Sequence, residues 1–271
     1  MADNKQTGGE SAKGYGQFHR HFFEGRSGVF AVGMTIAILI GGMVEIIPLY
    51  SAKAGPERAD WVTPYTPLEV AGRDIYIREG CYLCHSQMIR PMRAELLRYG
   101  EWTRAPEYQY DRPFLLGSRR MGPDLQRLGG KYPDAWHYEH MRDPRSTSPG
   151  SVMPTYPWLL EATIDPADVR ASVVALKRVG TPYTDAEIAA IPESVAQQAA
   201  GIVQSLAATG IQTEPDREIV ALIAYLQRLG QDGKRHLEAQ QTGAAGSGGS
   251  GDVAATGSAA PPAVRETGGG Q

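Results

Sequence analysis

The sequence predicts a mainly α chain: one N-terminal transmembrane helix followed by a helical outer domain with loop insertions. Two observations carry this. Residues 29–49 read VFAVGMTIAILIGGMVEIIPL and contain one ionisable group, Glu45. Beyond them, apolar residues recur at helical spacing in segments separated by Pro- and Gly-rich loops.

Taken in order, residues 1–28 form a polar N-terminal segment. The 21 residues 29–49 would span about 31 Å as a helix, enough to cross the hydrocarbon layer. Ala52-Lys53-Ala54 resembles a signal-peptidase site, but the apolar run exceeds a signal h-region and its leader is long, which favours a retained anchor. Glu45 has two readings, an interfacial carboxylate reaching headgroups or a contact with a larger membrane partner. Gly33, Gly41 and Gly42 leave a smooth face on which another helix could pack. Pro56 and Pro64 mark residues 50–66 as a linker.

The outer domain is expected over 67–235. Leu68, Ala71, Ile75 and Tyr76 make a helical stripe from Pro67 towards Gly80. Further helices are expected over 135–141, 166–178 and 195–208, the last inside an insertion at 181–213. REIVALIAYLQRL, 217–229, is an apolar helix stopped by Gly230, with Ile219, Leu222, Ile223 and Leu226 as its buried stripe and Tyr225 beside them. Residues 236–271, rich in Gly, Ala and Ser, bury too little apolar surface to offset ordering entropy and are expected to be disordered. A net charge of −3 with 21% charged residues argues against nucleic-acid binding.

The first of the two long helices runs into Cys81-Tyr82-Leu83-Cys84-His85, which holds both cysteines of the chain. Two thiols three positions apart can add to the two vinyl groups of one haem, with the adjacent histidine as proximal iron ligand. A zinc site would need two more strong ligands at matching spacing, and His19, His21, His137, His140 and His236 show no such grouping. A thioredoxin-like dithiol would sit in a βαβ pattern, and no strand pattern flanks these residues. The motif therefore predicts covalent haem c, and two helices crossing above it predict a class I-like cytochrome c domain. Haem c attachment takes place in the bacterial periplasm, which would place the amino terminus in the cytoplasm. The positive-inside bias from Lys5, Lys13, Arg20 and Arg26 is weak.

The carbonyl of Pro123, in Gly122-Pro123, is suited to accept the Nδ1–H of His85. For the sixth ligand the candidates are Met88, Met92, Met121, Met141, Met153, His137 and His140. Met88 and Met92 follow His85 too closely to reach the opposite haem face, and His137, His140 and Met141 fall in a helix. Met153 precedes Pro154, which favours an extended backbone from which a thioether can project, so Met153 is preferred, with His140 or His137 as the alternatives.

Several separated words then resemble one family, the membrane-anchored mono-haem subunit II of cbb3-type cytochrome c oxidases. They are GGMVEIIPL at 41–49, Glu79 through Gln87, Arg98-Tyr99-Gly100, Gly117-Ser118-Arg119-Arg120, Gly122-Pro123-Asp124-Leu125, Ser151 through Tyr156, Pro182-Tyr183-Thr184 and ALIAYLQ at 221–227. The resemblance covers the chain from the anchor to Leu229 and matches 181–213 in part. It implies thioether links at Cys81 and Cys84 and axial ligation by His85 and Met153. It also implies an electron relay from a soluble cytochrome c or a di-haem cytochrome c subunit to the b-type haem of a haem-copper catalytic subunit. A calcium ion near the haem propionates, with an oxygen from Ser118, is implied as well. The implied location is the bacterial inner membrane, single-pass, with the haem domain periplasmic. Oxygen chemistry is not expected on this chain. Rival readings are the cytochrome subunit of a nitric oxide reductase and a freestanding tethered cytochrome c.

Overall fold

The computed structural model describes residues 19–21, 25–51 and 59–246. Most of the N-terminal segment, the linker residues 52–58 and the tail from 247 lie outside the described residues. The chain divides into two compact units, between Arg58 and Ala59.

The first unit is dominated by α1, Ser27–Ser51. Its stretch Ser27–Pro48 has a mean hydropathy of 2.2 and none of it is buried, so by length and composition it can cross a membrane. The Thr35 hydroxyl donates to the Ala31 carbonyl at 2.8 Å, which removes its need for water. Ideal side chains built at Gly41 and Gly42 would meet nothing within 4 Å. The Glu45 side chain is exposed on the same helix.

The second unit is helical, with one isolated bridge between Thr163 and Arg217 and no strand among the described residues. Its frame is α2, Pro67–Arg78, and a later helix, Glu218–Arg228. Between them lie α3 (Arg93–Tyr99), α4 (Asp134–Arg142), α5 (Pro144–Thr147), α6 (Pro166–Arg178), α7 (Asp185–Ala189) and α8 (Ile191–Ala207), which makes the later frame helix α9. Helix α10, Gln231–Gly246, closes the order.

Helix α2 starts where Thr66 and Glu69 form a reciprocal capping box, with Pro67 in the first turn. Gly72 sets how closely α2 and α9 cross: a Cβ there would lie 1.9 Å from the Ala221 carbonyl oxygen and 2.8 Å from Tyr225 Cβ. No pattern in the sequence marks Gly72. On α9 the helical spacing predicts a buried stripe, whereas Val220, Ala221 and Ala224 are buried as deeply as Ile219, Leu222, Ile223 and Leu226. The reason is that α2, α4 and α8 all pack on α9, so no side faces water.

The insertion at 181–213 belongs to this core. Its helix α8 begins four residues earlier than expected, with Pro192 in its first turn, and buries Ile191, Ala199 and Leu206. Thr66 Oγ1 donates to Gln198 of α8 at 2.6 Å and Tyr183 Oη to the Tyr65 carbonyl at 2.7 Å, so the insertion braces the start of α2. A second correction concerns the tail. Helix continues through His236 to Gly246, where disorder was expected from residue 236. His236 stacks on Trp61 at 4.3 Å, and Asp232 accepts from the Thr63 amide at 3.1 Å and pairs with Arg228 and Arg235. These contacts give the helix a docked first turn, from which Leu237, Glu238, Ala239 and Gln240 propagate it.

Candidate haem site

Helix α2 ends at Arg78, and Gly80 at φ 70° turns the chain into a 3-10 turn, Cys81–Leu83. The amides of Cys84 and His85 both donate to the Cys81 carbonyl, at 3.1 and 3.0 Å. The two thiols are free and half-buried, held one turn apart. Burial, followed by the charge of Glu79, pushes the Cys81 thiol up to about 12, so in the bare chain it is a neutral thiol.

His85 Nδ1 lies 2.8 Å from the Pro123 carbonyl oxygen, across 38 residues of sequence. A carbonyl can only accept, so Nδ1 carries the hydrogen and Nε2 keeps its lone pair. Burial lowers the pKa of His85, opposed by the Pro123 carbonyl and Asp124, which favours that neutral, ligand-competent ring. Gly122 makes the approach possible: a Cβ there would fall 2.2 Å from His85 Cε1 and 2.7 Å from Nδ1.

Two short segments, 84–88 and 120–126, clamp this pair. Gly122 N–H donates to the Cys84 carbonyl at 3.1 Å and Leu125 N–H to that of Ser86 at 2.8 Å. The buried Asp124 carboxylate accepts from Ser86 Oγ at 2.6 Å and from the amides of Met88 and Gln126 at 2.9 Å each. Arg120 donates to Ser86 Oγ and to the Met88 carbonyl, both at 2.7 Å, and pairs with Glu95 at 2.6 Å. Arg120 first, then Arg90, holds the Glu95 carboxyl down to about 2. Ser86, Arg120 and Asp124 stand in the motifs at 79–87, 117–120 and 122–125, but no spacing rule assigns them a task. A polar residue on each side of the His85–Pro123 pair was the available signal.

The sixth-ligand candidates differ in their surroundings. Met88 has its amide bound to Asp124, Met92 and Met121 are exposed, and Met141 is core filler. His137 is 1% exposed, boxed edge-on by Tyr132 and Trp136 with Nε2 unpartnered, and burial lowers it to about 4. His140 stacks on Trp136 at 4.4 Å, has Nδ1 2.6 Å from Thr147 Oγ1, and lies within electrostatic reach of His85. Met153 is half-buried against the core, its amide donating to Ser151 Oγ at 3.2 Å. The chain after Met153 returns to within electrostatic reach of Cys81 and Cys84, and burial above all raises the Tyr156 phenol to about 12. Trp158 Nε1 then donates to Glu79 at 3.2 Å.

Ser118 is exposed beside Gly117, whose φ is 65°. Among the described residues no group of three or more His, Cys, Asp or Glu gathers to hold a metal ion.

The donor set suits a covalently held haem: two adjacent thiols, a neutral imidazole of fixed tautomer, and a thioether on a loop that folds back to the motif. The Tyr76 hydroxyl, buried without a partner and within electrostatic reach of Cys81, is a further polar atom left over in the bare chain. The family model described as "Cytochrome C oxidase, mono-heme subunit/FixO" matches residues 20–232. Among curated proteins none matches the chain.

Proposed function

We propose, from the premise that this chain belongs to the mono-haem (FixO) subunits of cytochrome c oxidase, that it relays single electrons to the oxygen-reducing core of a cbb3-type enzyme. One observation carries the reading: His85 and Pro123 meet at 2.8 Å over a glycine that nothing larger could replace. Bound haem c would supply a one-electron ferric/ferrous couple.

In this reading Cys81 and Cys84 hold the group through thioethers, and His85 presents Nε2 to the iron. The Pro123 carbonyl keeps the hydrogen on Nδ1, which fixes the ring orientation and strengthens the ligand. Met153 would offer a thioether as the second protein ligand to the iron, a donor that favours the reduced state. His140 is the weaker candidate, because turning it to a metal would give up both its stacking on Trp136 and its bond to Thr147. Ser118 lends an oxygen to a calcium ion shared with a neighbouring subunit.

The donors would be a soluble cytochrome c or the di-haem companion subunit, and the acceptor the b-type haem of the haem-copper catalytic subunit. Helix α1 would anchor the chain in the bacterial inner membrane with the haem domain periplasmic. An absorption spectrum and metal count on the purified complex test this. One c-type haem on this chain, beside b-type haem and copper in the complex, is expected. A chain recovered without a haem-copper subunit overturns it. Met153→Ala should lose the far-red thioether-to-iron band while His140→Ala keeps it; a wild-type protein without that band, whose ligation changes in His140→Ala and not in Met153→Ala, would move the sixth ligand to His140.

A further inference from the structure

Between His85 and Pro123 the chain builds a lobe, 86–121, whose charges are sorted by sign. It contains seven arginines, no lysine and four acids, Glu95, Glu101, Glu107 and Asp111. Glu95 and Asp111 are each 6% exposed and Glu107 has a side chain 4% exposed. These three are committed to arginines, Glu95 to Arg120 and Arg90, Asp111 to Arg73 and Glu107 to Arg127. Glu101 is the one exposed acid of the lobe. The outer surface is therefore cationic on a chain whose net charge is −3.

Helix α3 shows the pattern most plainly. Glu95 turns inward while Arg93, Leu97 and Arg98 lie exposed, with Leu97 at 66% and the preceding Met92 at 51%. Arg93 has no ion pair among the described residues, and Arg98 has only the adjacent Tyr99 ring, at 5.3 Å. The lobe also leads to the haem motif. At its end, exposed Met121 lies 3.9 Å from Cys84 Sγ, and Arg120 ties α3 to Ser86 through Glu95.

An anionic lipid surface would accept lysine as readily as arginine. Arginine without lysine, interleaved with Met and Leu, is instead the composition of a protein interface, where the guanidinium fork meets carboxylates two bonds at a time. We propose that Met92, Arg93, Leu97 and Arg98 form the docking face for a carboxylate-bearing protein surface, that of the membrane-embedded catalytic subunit. This rests on the oxidase reading above. Docking through a lobe braced to Ser86 and ending beside Cys84 would set the haem motif next to the partner, as a fixed relay requires.

The test compares the full chain alone in detergent with the same chain inside its purified oxidase. Backbone hydrogen exchange over 90–99 should slow at least about tenfold in the complex. An Arg93→Gln/Arg98→Gln double variant should lose about tenfold or more in affinity for the catalytic subunit, read from a salt titration, with unchanged haem content. Equal exchange in a complex that does form overturns the assignment, as does a variant retained as strongly as wild type. Protection reproduced in anionic-lipid nanodiscs without the catalytic subunit overturns it too, in favour of lipid. If wild type recovers no haem-copper subunit at all, the oxidase reading itself falls and this docking face with it.

Discussion

Gly122 carries the most demanding constraint at the scale of single residues. Any side chain there would occupy the space of the His85 ring, with Cβ 2.2 Å from Cε1. Gly122→Ala is expected to displace the imidazole, break the 2.8 Å bond to Pro123 and cut covalent haem content several-fold, measured by the haemochrome spectrum of the purified protein. A full complement of normally ligated haem would refute that. The meeting of His85 with Pro123 was legible in the sequence because a motif histidine asks for one carbonyl partner. Ser86, Arg120 and Asp124 were not, because a buried hydrogen-bond network leaves no periodicity or spacing rule behind it.

Among elements, the crossing of α2 and α9 sets the stability of the domain. Gly72→Ala would force Cβ to within 1.9 Å of the Ala221 oxygen, a backbone atom that cannot rotate aside. A loss of about 3 kcal/mol or more is expected, at the upper end for overpacking, measured as a lowered denaturant midpoint. The loop clamp has its own pH signature. Glu95 falls from an ordinary value of 4.5 to about 2 on folding, chiefly through Arg120. Its contribution is therefore complete above about pH 4.5 and drains away as pH falls towards 2. Glu95→Gln should flatten that acid limb in urea titrations; an unchanged limb would show that the pair adds nothing. The helices over 67–78 and 166–178 were legible to within a residue or two, since each pairs an apolar stripe with a proline start. The start of α8 and the length of α10 were not, because docking of Ile191 and of Trp61 on His236 decided them.

For the whole molecule, the division between Arg58 and Ala59 separates the apolar helix from the helical domain. Removing residues 1–58 and exporting the remainder should yield a folded, haem-bearing domain that no longer sediments with membranes. A fragment that stays membrane-bound would show a second attachment. The order of an apolar span, a haem attachment motif and later helices was determined by the sequence alone, because hydropathy, Cys-x-x-Cys-His spacing and helical periodicity are local properties. Tertiary structure alone decided that Gly72 sits at the crossing, that α9 is buried on every side, that the insertion at 181–213 braces α2, and that Arg93 and Arg98 face outward while Glu95, Glu107 and Asp111 turn in. Each of these depends on which segments meet across long stretches of chain, and no local pattern encodes the partner.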